Sequence, residues 1–257
     1  MKKFMSVLLT AILVLCLAGC GGEKKDAKTI LNDAMQKAQE SADMDLTIDM
    51  DMDMTAAGES MAMEMQMDVK VQDNNKETMK MEMPMSLNMP GQGVSMDMNL
   101  YYADGYYYMD MMGMKIKTPM DLAEIQKSLE GSTGMVNIGI EGMKELEMEE
   151  KDGSYIINFV GDTEKMADYM DSVMTTMESM YGIEDSDVKL EEMKGTITVN
   201  KEGYITEQNV EMTMTMVVEG EETECSLVMN AVYNNPGEAV TVELPDLSEY
   251  EEMQLTE

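Results

Sequence analysis

Long stretches of the chain alternate apolar and polar residues with a period of two. Residues 44–54 place methionine, leucine or isoleucine at every even position and aspartate or threonine at every odd one. The next stretch, SMAMEMQMDVKV at 60–71, carries methionine and then valine at odd positions. Successive side chains of a β-strand point to opposite faces, so this alternation predicts strands with one apolar and one polar face. The same pattern at 79–87 and 94–100 completes an antiparallel meander.

Two-residue turns mark further strands downstream. Asp104-Gly105 is a strong hairpin sequence between two tyrosine-rich arms, and Asp152-Gly153 is a second one. The remaining strands are predicted at 144–151, 154–161, 188–200, 204–219 and 223–234, with a shorter one at 240–244. The total is about ten or eleven strands, mostly antiparallel, which indicates an α+β fold that is mainly β.

Three segments change to the 3.6-residue period of a helix. Residues 27–42 place their apolar side chains along one face. A second helix is predicted over 118–130, with Thr118 as its N-cap and proline at its first position. A third is predicted over 163–181, and the glycine-rich residues 131–142 between the two predict a loop. No linker divides the series, so a single domain is favoured.

The first residues predict export and lipidation. Lys2 and Lys3 precede an apolar run at 7–17, which is typical of a secretory signal and too short to span a membrane. Leu17-Ala18-Gly19-Cys20 looks like the lipobox of bacterial lipoproteins, and a signal peptide cleaved nearby without lipidation is the alternative. Two acyl chains on Cys20 would anchor the chain to the extracytoplasmic face of the cell membrane. The predicted organisation is a signal peptide at 1–19, a lipidated tether at 20–26, one domain at 27–250 and an acidic tail at 251–257.

The net charge and the cysteine content limit which partners the chain can bind and which disulfides it can form. The chain has a formal net charge of −33 and contains no arginine and no histidine. Nucleic-acid binding and adsorption to anionic lipid both need clustered cations, so neither is expected. Cys225 is the one cysteine outside the signal and lipobox, which excludes an intramolecular disulfide in the domain. It shares the apolar phase of its strand, which favours a buried thiol over a reactive one.

The 37 methionines admit two interpretations, an apolar sheet face or a thioether site for Cu(I). Val69 and Val71 continue the methionine phase of their strand, and these side chains ligate nothing. The methionines also spread over many strands, which is more sulfur than one or two ions need. An apolar face is therefore favoured, and Cu(I) binding stays an alternative.

Other chemistry finds little support in the sequence. Asp49, Asp51 and Asp53 have the spacing of a calcium loop, but Met54 stands where its glycine belongs and Ser60 where its glutamate belongs. Histidine-based catalysis is excluded by composition, and no glycine-rich phosphate loop is present. Neither enzymatic activity, nor a metal site, nor a cofactor is predicted.

The apolar face is wider than three short helices readily cover, which favours a cavity for a hydrophobic guest. Methionine suits such a cavity because its unbranched, polarizable side chain adapts to irregular partners. A core filled completely by the helices is the alternative. Tyrosines 101, 102, 106, 107 and 108 fit either the mouth of the cavity or cross-strand pairs of a hairpin. The predicted ligand-binding residues are Met50, Met52, Met63, Met65, Met81, Met83, Met98, Leu100, Met212 and Met214.

The order of these elements resembles the lipoprotein-carrier superfamily of LolA and LolB and the Gram-positive and mycobacterial lipoproteins of the LppX and LprG type. The resemblance rests on the lipobox, the first helix, the meander, the segment YYADGYYYMDMMGMKIKTP and the closing segment NNPGEAVTVELPD. It implies a half-open antiparallel barrel whose concave side carries the three helices and holds acyl chains. The expected partners are thus the membrane, through Cys20, and a lipid or other hydrophobic molecule.

Overall fold

The computed structural model describes residues 26–56, 58–126, 140–166, 187–218 and 221–253. The predicted signal peptide and the predicted lipidation site Cys20 lie outside these residues.

The strands form one twelve-stranded sheet with the order β12-β6-β5-β4-β3-β2-β1-β11-β10-β9-β8-β7. This order has two free ends, so the sheet is open. Its strands are β1 (Met44–Ala56), β2 (Glu59–Gln72), β3 (Lys80–Met89), β4 (Val94–Ala103), β5 (Tyr106–Met111), β6 (Met114–Pro119), β7 (Met143–Lys151), β8 (Ser154–Gly161), β9 (Asp187–Val199), β10 (Ile205–Val218), β11 (Glu221–Tyr233) and β12 (Glu251–Glu252).

Two antiparallel meanders make up the sheet. The first runs from β1 to β6 and the second from β7 to β11, and the pairing of β1 with β11 joins them. The predicted hairpins are confirmed by their backbone: Asp104 and Gly105 have φ of 53° and 78°, and Asp152 and Gly153 have φ of 53° and 82°. Positive φ at both central residues is the geometry that twisted strands require of a two-residue turn.

The end of the chain differs from the prediction. Residues 240–244 lie outside the strands, since side chains rather than a neighbouring strand hold their backbone. The N–H of Val240 donates to Asp43 Oδ2 at 3.1 Å, and the N–H of Val242 donates to Gln72 Oε1 at 3.1 Å. The stretch predicted as an acidic tail instead begins with β12, which pairs in parallel with β6.

The first helix, α1 (Ala27–Gln39), follows its predicted pattern. Asp26 caps it by accepting a hydrogen bond from the N–H of Thr29 at 2.7 Å. Its buried side chains join the main core, and the helix contacts β7, β9 and β10. Lys37, in its last turn, donates to the carbonyl oxygen of Glu202 at 2.6 Å and lies 3.7 Å from the ring centre of Tyr204. These contacts fix α1 against one half of the sheet.

The start of the second helix was predicted wrongly. Pro119 is the last residue of β6, and the helical residues begin at 122. Asp121 is the N-cap, because its carboxylate accepts from the N–H of Glu124 at 2.9 Å while Glu124 accepts from the N–H of Asp121 at 2.8 Å. This reciprocal pair is a capping box, three residues later than predicted. The predictions for 127–139 and 167–181 lie outside the described residues.

Candidate functional site

The apolar residues of both meanders meet on one face of the sheet, here called the inner face. Cross-strand pairing places methionine directly beside methionine there: Met50 beside Met65, Met52 beside Met63 and Met54 beside Met61. On the other side of β1, Met50 lies beside Met229 and Met52 beside Leu227. The alternation predicted from the sequence therefore builds continuous apolar rows across β2, β1 and β11.

Burial divides the inner face into two parts. On β9, β10 and β11 the apolar side chains are buried as far as Leu190, Met214 and Cys225. On β1 to β4, the inner-face side chains farthest from the turn between β2 and β3 are only half-buried. We call this half-buried region the methionine patch; it comprises Met52, Met54, Met61, Met63, Met65, Met85, Leu87, Met96 and Met98.

All ten predicted ligand-binding residues lie on the inner face, and they divide between its two parts. The half-buried ones, all within the methionine patch, are Met52, Met63, Met65 and Met98. The buried ones are Met50, Met81, Met83, Leu100, Met212 and Met214. Within this group Met81 has an exposed fraction of 0 %, so it packs fully into the core.

The acidic residues that alternate with these methionines lie on the opposite, outer face. Asp49, Asp51 and Asp53 are exposed and stand beside Gln66, Glu64 and Ala62 of β2. Among the described residues, no group of three carboxylate or cysteine side chains is placed to hold a metal ion.

The tyrosines of β4 and β5 divide between the two faces. Tyr101 pairs with Tyr108, and Tyr102 pairs with Tyr107, so cross-strand pairs are present as one of the two alternatives proposed. Tyr102 and Tyr107 belong to the inner face. Tyr101 and Tyr108 form an outer cluster with Tyr250, whose ring centre lies 6.5 Å and 5.3 Å from theirs in T-shaped contacts. The sequence did not predict this outer cluster, since Tyr250 comes from the far end of the chain.

Cys225 is buried in β11 between Met54 of β1 and Met214 of β10. Burial raises the pKa of its thiol above the ordinary value of 9.0, with a smaller contribution from the carboxylate of Asp53. A thiol that is buried and protonated is a poor nucleophile. The predicted buried strand cysteine is confirmed.

Two half-buried tyrosines of the inner face predict that stability falls in alkali. Burial raises the pKa of Tyr107 and that of Tyr233 to about 12 each, from an ordinary 10.0. Between these pH values the unfolded chain releases both protons while the folded chain keeps them, so the free energy of unfolding decreases as pH rises from about 10 to about 12. Urea unfolding across this range measures the loss. Tyr233→Phe should lose less stability than the wild type over the same range, and an equal loss in both would contradict the prediction.

Gln208 is an inner-face residue that the sequence interpretation missed. It lies on β10 beside Ala231 of β11 and Ile197 of β9, and its exposed fraction is 2 %. Its Nε2 atom is buried, and among the described residues it has no hydrogen-bond partner. The sequence carried a signal for it, since Gln208 shares the even-numbered phase of Val210, Met212 and Met214.

Turns beside the methionine patch carry exposed apolar side chains. Met112, between β5 and β6, has an exposed fraction of 84 % and a φ of 54°, which is uncommon for a residue other than glycine. Met114 has an exposed fraction of 54 %, and Val94, at the start of β4, is also exposed.

None of the helices described is long and apolar enough to cross a membrane.

Comparison with known proteins gives a family without an assigned role. The model of a family of unknown function, DUF6612, matches residues 26–247. No protein with a curated description matches the chain.

Several solved structures are similar to the chain at low identity. LprF from Mycobacterium bovis is 11 % identical, with a TM-score of 0.45 over 85 % of this chain and 96 % of its own. The Mycobacterium tuberculosis lipoprotein LppX is 10 % identical, with a TM-score of 0.35 over 82 % and 96 %. A Vibrio parahaemolyticus domain named for outer membrane lipoprotein sorting is 9 % identical, with a TM-score of 0.27 over 80 % and 94 %. These are the types of protein that the order of elements resembles, and no ligand follows from a likeness at this level.

Proposed function

The chain belongs to the family of unknown function DUF6612, so its role rests on its own residues, and we propose that it is a membrane-anchored extracytoplasmic lipoprotein that binds a lipid or another hydrophobic molecule. The guest lies on the methionine patch, and no chemical reaction takes place. The observation that carries this proposal is the half-buried state of the patch beside a fully buried core of the same composition.

The composition of the patch supports an apolar guest. Its side chains are methionine and leucine only. Apart from the exposed Glu59 at the first position of β2, the inner-face positions of β1 to β4 carry no aspartate, glutamate or lysine. Half-buried thioethers contribute apolar surface, and each square ångström of it that a guest removes from water contributes about 25 cal/mol. Methionine also changes rotamer readily, which fits a surface that must pack with and without a guest. The exposed Met112 and Met114 support an entry at the adjacent turns.

The anchor stands close to the fold in the chain. Asp26, which caps α1, is six positions after Cys20, and an extended chain over six positions spans about 20 Å. A diacylated Cys20 would therefore keep the domain near the bilayer surface, where hydrophobic guests are found.

Substituting the pair Met52 and Met63 tests the proposal, because these side chains face each other across β1 and β2 in the patch. We expect Met52→Gln/Met63→Gln to weaken binding of the neutral dye N-phenyl-1-naphthylamine by about tenfold, since two polar amides replace apolar contact surface. We expect Met52→Leu/Met63→Leu to bind as the wild type does. Fluorescence titration of the lipid-free domain gives the dissociation constants.

The same variants separate the alternatives. A Cu(I) site made of thioethers would lose the metal in both the leucine and the glutamine variant, because both remove sulfur. That site has one observation in its favour, the direct pairing of Met52 with Met63 and of Met54 with Met61. A wild-type domain that binds neither the dye nor any co-purified lipid would overturn the proposal and favour a filled core.

A further inference from the structure

Nε2 of Gln208, which has no hydrogen-bond partner among the residues that the structure describes, is the feature of the inner face that packing does not explain. Nearly all buried polar groups in folded proteins have a hydrogen-bond partner, and leaving a buried donor unpaired is unfavourable. Methionine or leucine at this position would fill similar space without an unpaired donor, as Val210 and Met212 do on the same strand. The unpaired Nε2 donor therefore destabilises the free protein, and a bound hydrogen-bond acceptor would remove this penalty.

The position of Gln208 suits one end of an elongated guest. One strand, β11, lies between β10 and β1, so the two are two inter-strand spacings apart. The row of Gln208 and Ile48 is four residues along the strand from the row of Met52. With strands about 4.8 Å apart and a rise of about 3.3 Å per residue, Gln208 lies about 16 Å from Met52 along the sheet. An acyl chain that covers this span has its apolar part against methionines and its polar end at Gln208.

The charges around Gln208 restrict the acceptor. Apart from Glu221 at the first position of β11, ten residues from Ala231, the inner-face positions of the described strands β8 to β11 carry no aspartate, glutamate or lysine. A carboxylate or phosphate placed there would be desolvated without a counter-charge, which is strongly unfavourable. A neutral carbonyl needs only the single donor that Nε2 offers.

We propose that Gln208 donates a hydrogen bond from Nε2 to a neutral acceptor of the guest, an ester or amide carbonyl, while the acyl part lies along the inner face toward the methionine patch. The inference rests on the proposed function and names its ligand class, neutral acyl esters or amides rather than free fatty acids or phosphates. Adaptable side chains between the two points, Met50 and Met229 among them, move aside for the guest.

Displacement of N-phenyl-1-naphthylamine by methyl palmitate and by octadecane tests the inference, because the two competitors differ mainly in the ester. We expect the wild-type domain to bind methyl palmitate about fivefold more tightly than octadecane, the gain of one hydrogen bond. We expect Gln208→Met and Gln208→Leu to abolish this ratio and to leave octadecane binding unchanged. Gln66→Met, on the exposed part of β2, is the matched control and should keep the ratio.

The possible results distinguish a failure of this inference from a failure of the proposed function on which it rests. A wild-type domain that binds neither competitor would overturn both. Binding of both competitors with the same ratio in the wild type and in Gln208→Met would overturn only the role of Gln208, and so would equal weakening of ester and alkane. Palmitic acid at neutral pH should compete less well than its methyl ester, and a stronger competition by the acid would contradict the neutral acceptor.

Discussion

Gly195→Ala is expected to destabilise the fold by about 3 kcal/mol or more. Gly195 lies on the inner face of β9 beside Val210 of β10 and Phe159 of β8. A Cβ atom at this position would overlap the backbone carbonyl oxygen of Asn209 and lie 2.6 Å from Cζ of the buried Phe159 ring. A carbonyl within a paired strand cannot move without breaking the ladder, so the clash is not relieved by a side-chain rotation. Urea unfolding of the two proteins measures the difference.

Gly161→Ala is the matched control for this prediction. The three atoms nearest to an added Cβ there are Cβ, Cγ and Sδ of Met193, at 2.9, 3.1 and 3.1 Å. Rotation of the methionine side chain moves Cγ and Sδ, and a shift of a few tenths of an ångström relieves the contact with Cβ, so this variant should lose clearly less stability than Gly195→Ala. Equal losses in the two variants would show that the overlap with the backbone of β10 is not the cause. The pair thus compares a deep overlap with a backbone carbonyl and a shallow contact with a side chain on the same inner face.

The strands of this fold are readily predicted because period two persists over long segments. Residues 154–161 were predicted as β8 with the observed bounds, and β9, β10 and β11 each begin and end within two residues of the prediction. The pairing of β1 with β11 carries no local signal, since it joins segments from the two ends of the domain. Several strands have the same phase and length, so the sequence does not distinguish one neighbour from another.

The exposure of side chains along the inner face could not be predicted from the sequence, for a different reason. Met52 and Met212 lie in one row with Leu227 and have the same chemistry, yet Met52 is half-buried and Met212 is buried. Periodicity predicts the face on which a side chain lies, whereas the elements packed above that face determine its exposure. The predicted ligand-binding residues therefore all lie on the inner face, but only four of them belong to the methionine patch.

Gln208 is the opposite case. The alternation of β10 was visible in the sequence, and the residue that breaks it is the informative one. A single polar residue in an apolar phase is easily taken for a fault in the alternation. In the folded chain the same residue is a buried donor without a partner in the described part of the chain. Real proteins break local rules at functional positions more often than elsewhere. The exception became visible only when pairing with Ala231 and Ile197 placed it inside the sheet's core.

The second large effect is expected from Leu31→Ala on α1. Leu31 has an exposed fraction of 0 % and belongs to the main core, where α1 packs against β7, β9 and β10. Removing its isobutyl group leaves a cavity between the helix and the sheet and should lower the free energy of unfolding by about 3 to 4 kcal/mol. Asn32→Ala, at the neighbouring exposed position, should change it by less than about 0.5 kcal/mol.

This comparison measures how firmly α1 covers the half of the inner face that holds Gln208. A docked helix with a rigid interface predicts the large loss for Leu31→Ala in urea unfolding and an unchanged slope with denaturant concentration. A loss similar to that of Asn32→Ala would mean that the interface collapses around the cavity or that α1 contributes little to stability. The wild-type interface would then be open to a guest at β10, and binding of methyl palmitate should be insensitive to Leu31→Ala as well. A rigid α1 instead requires the guest to reach Gln208 along the methionines of β1 and β11.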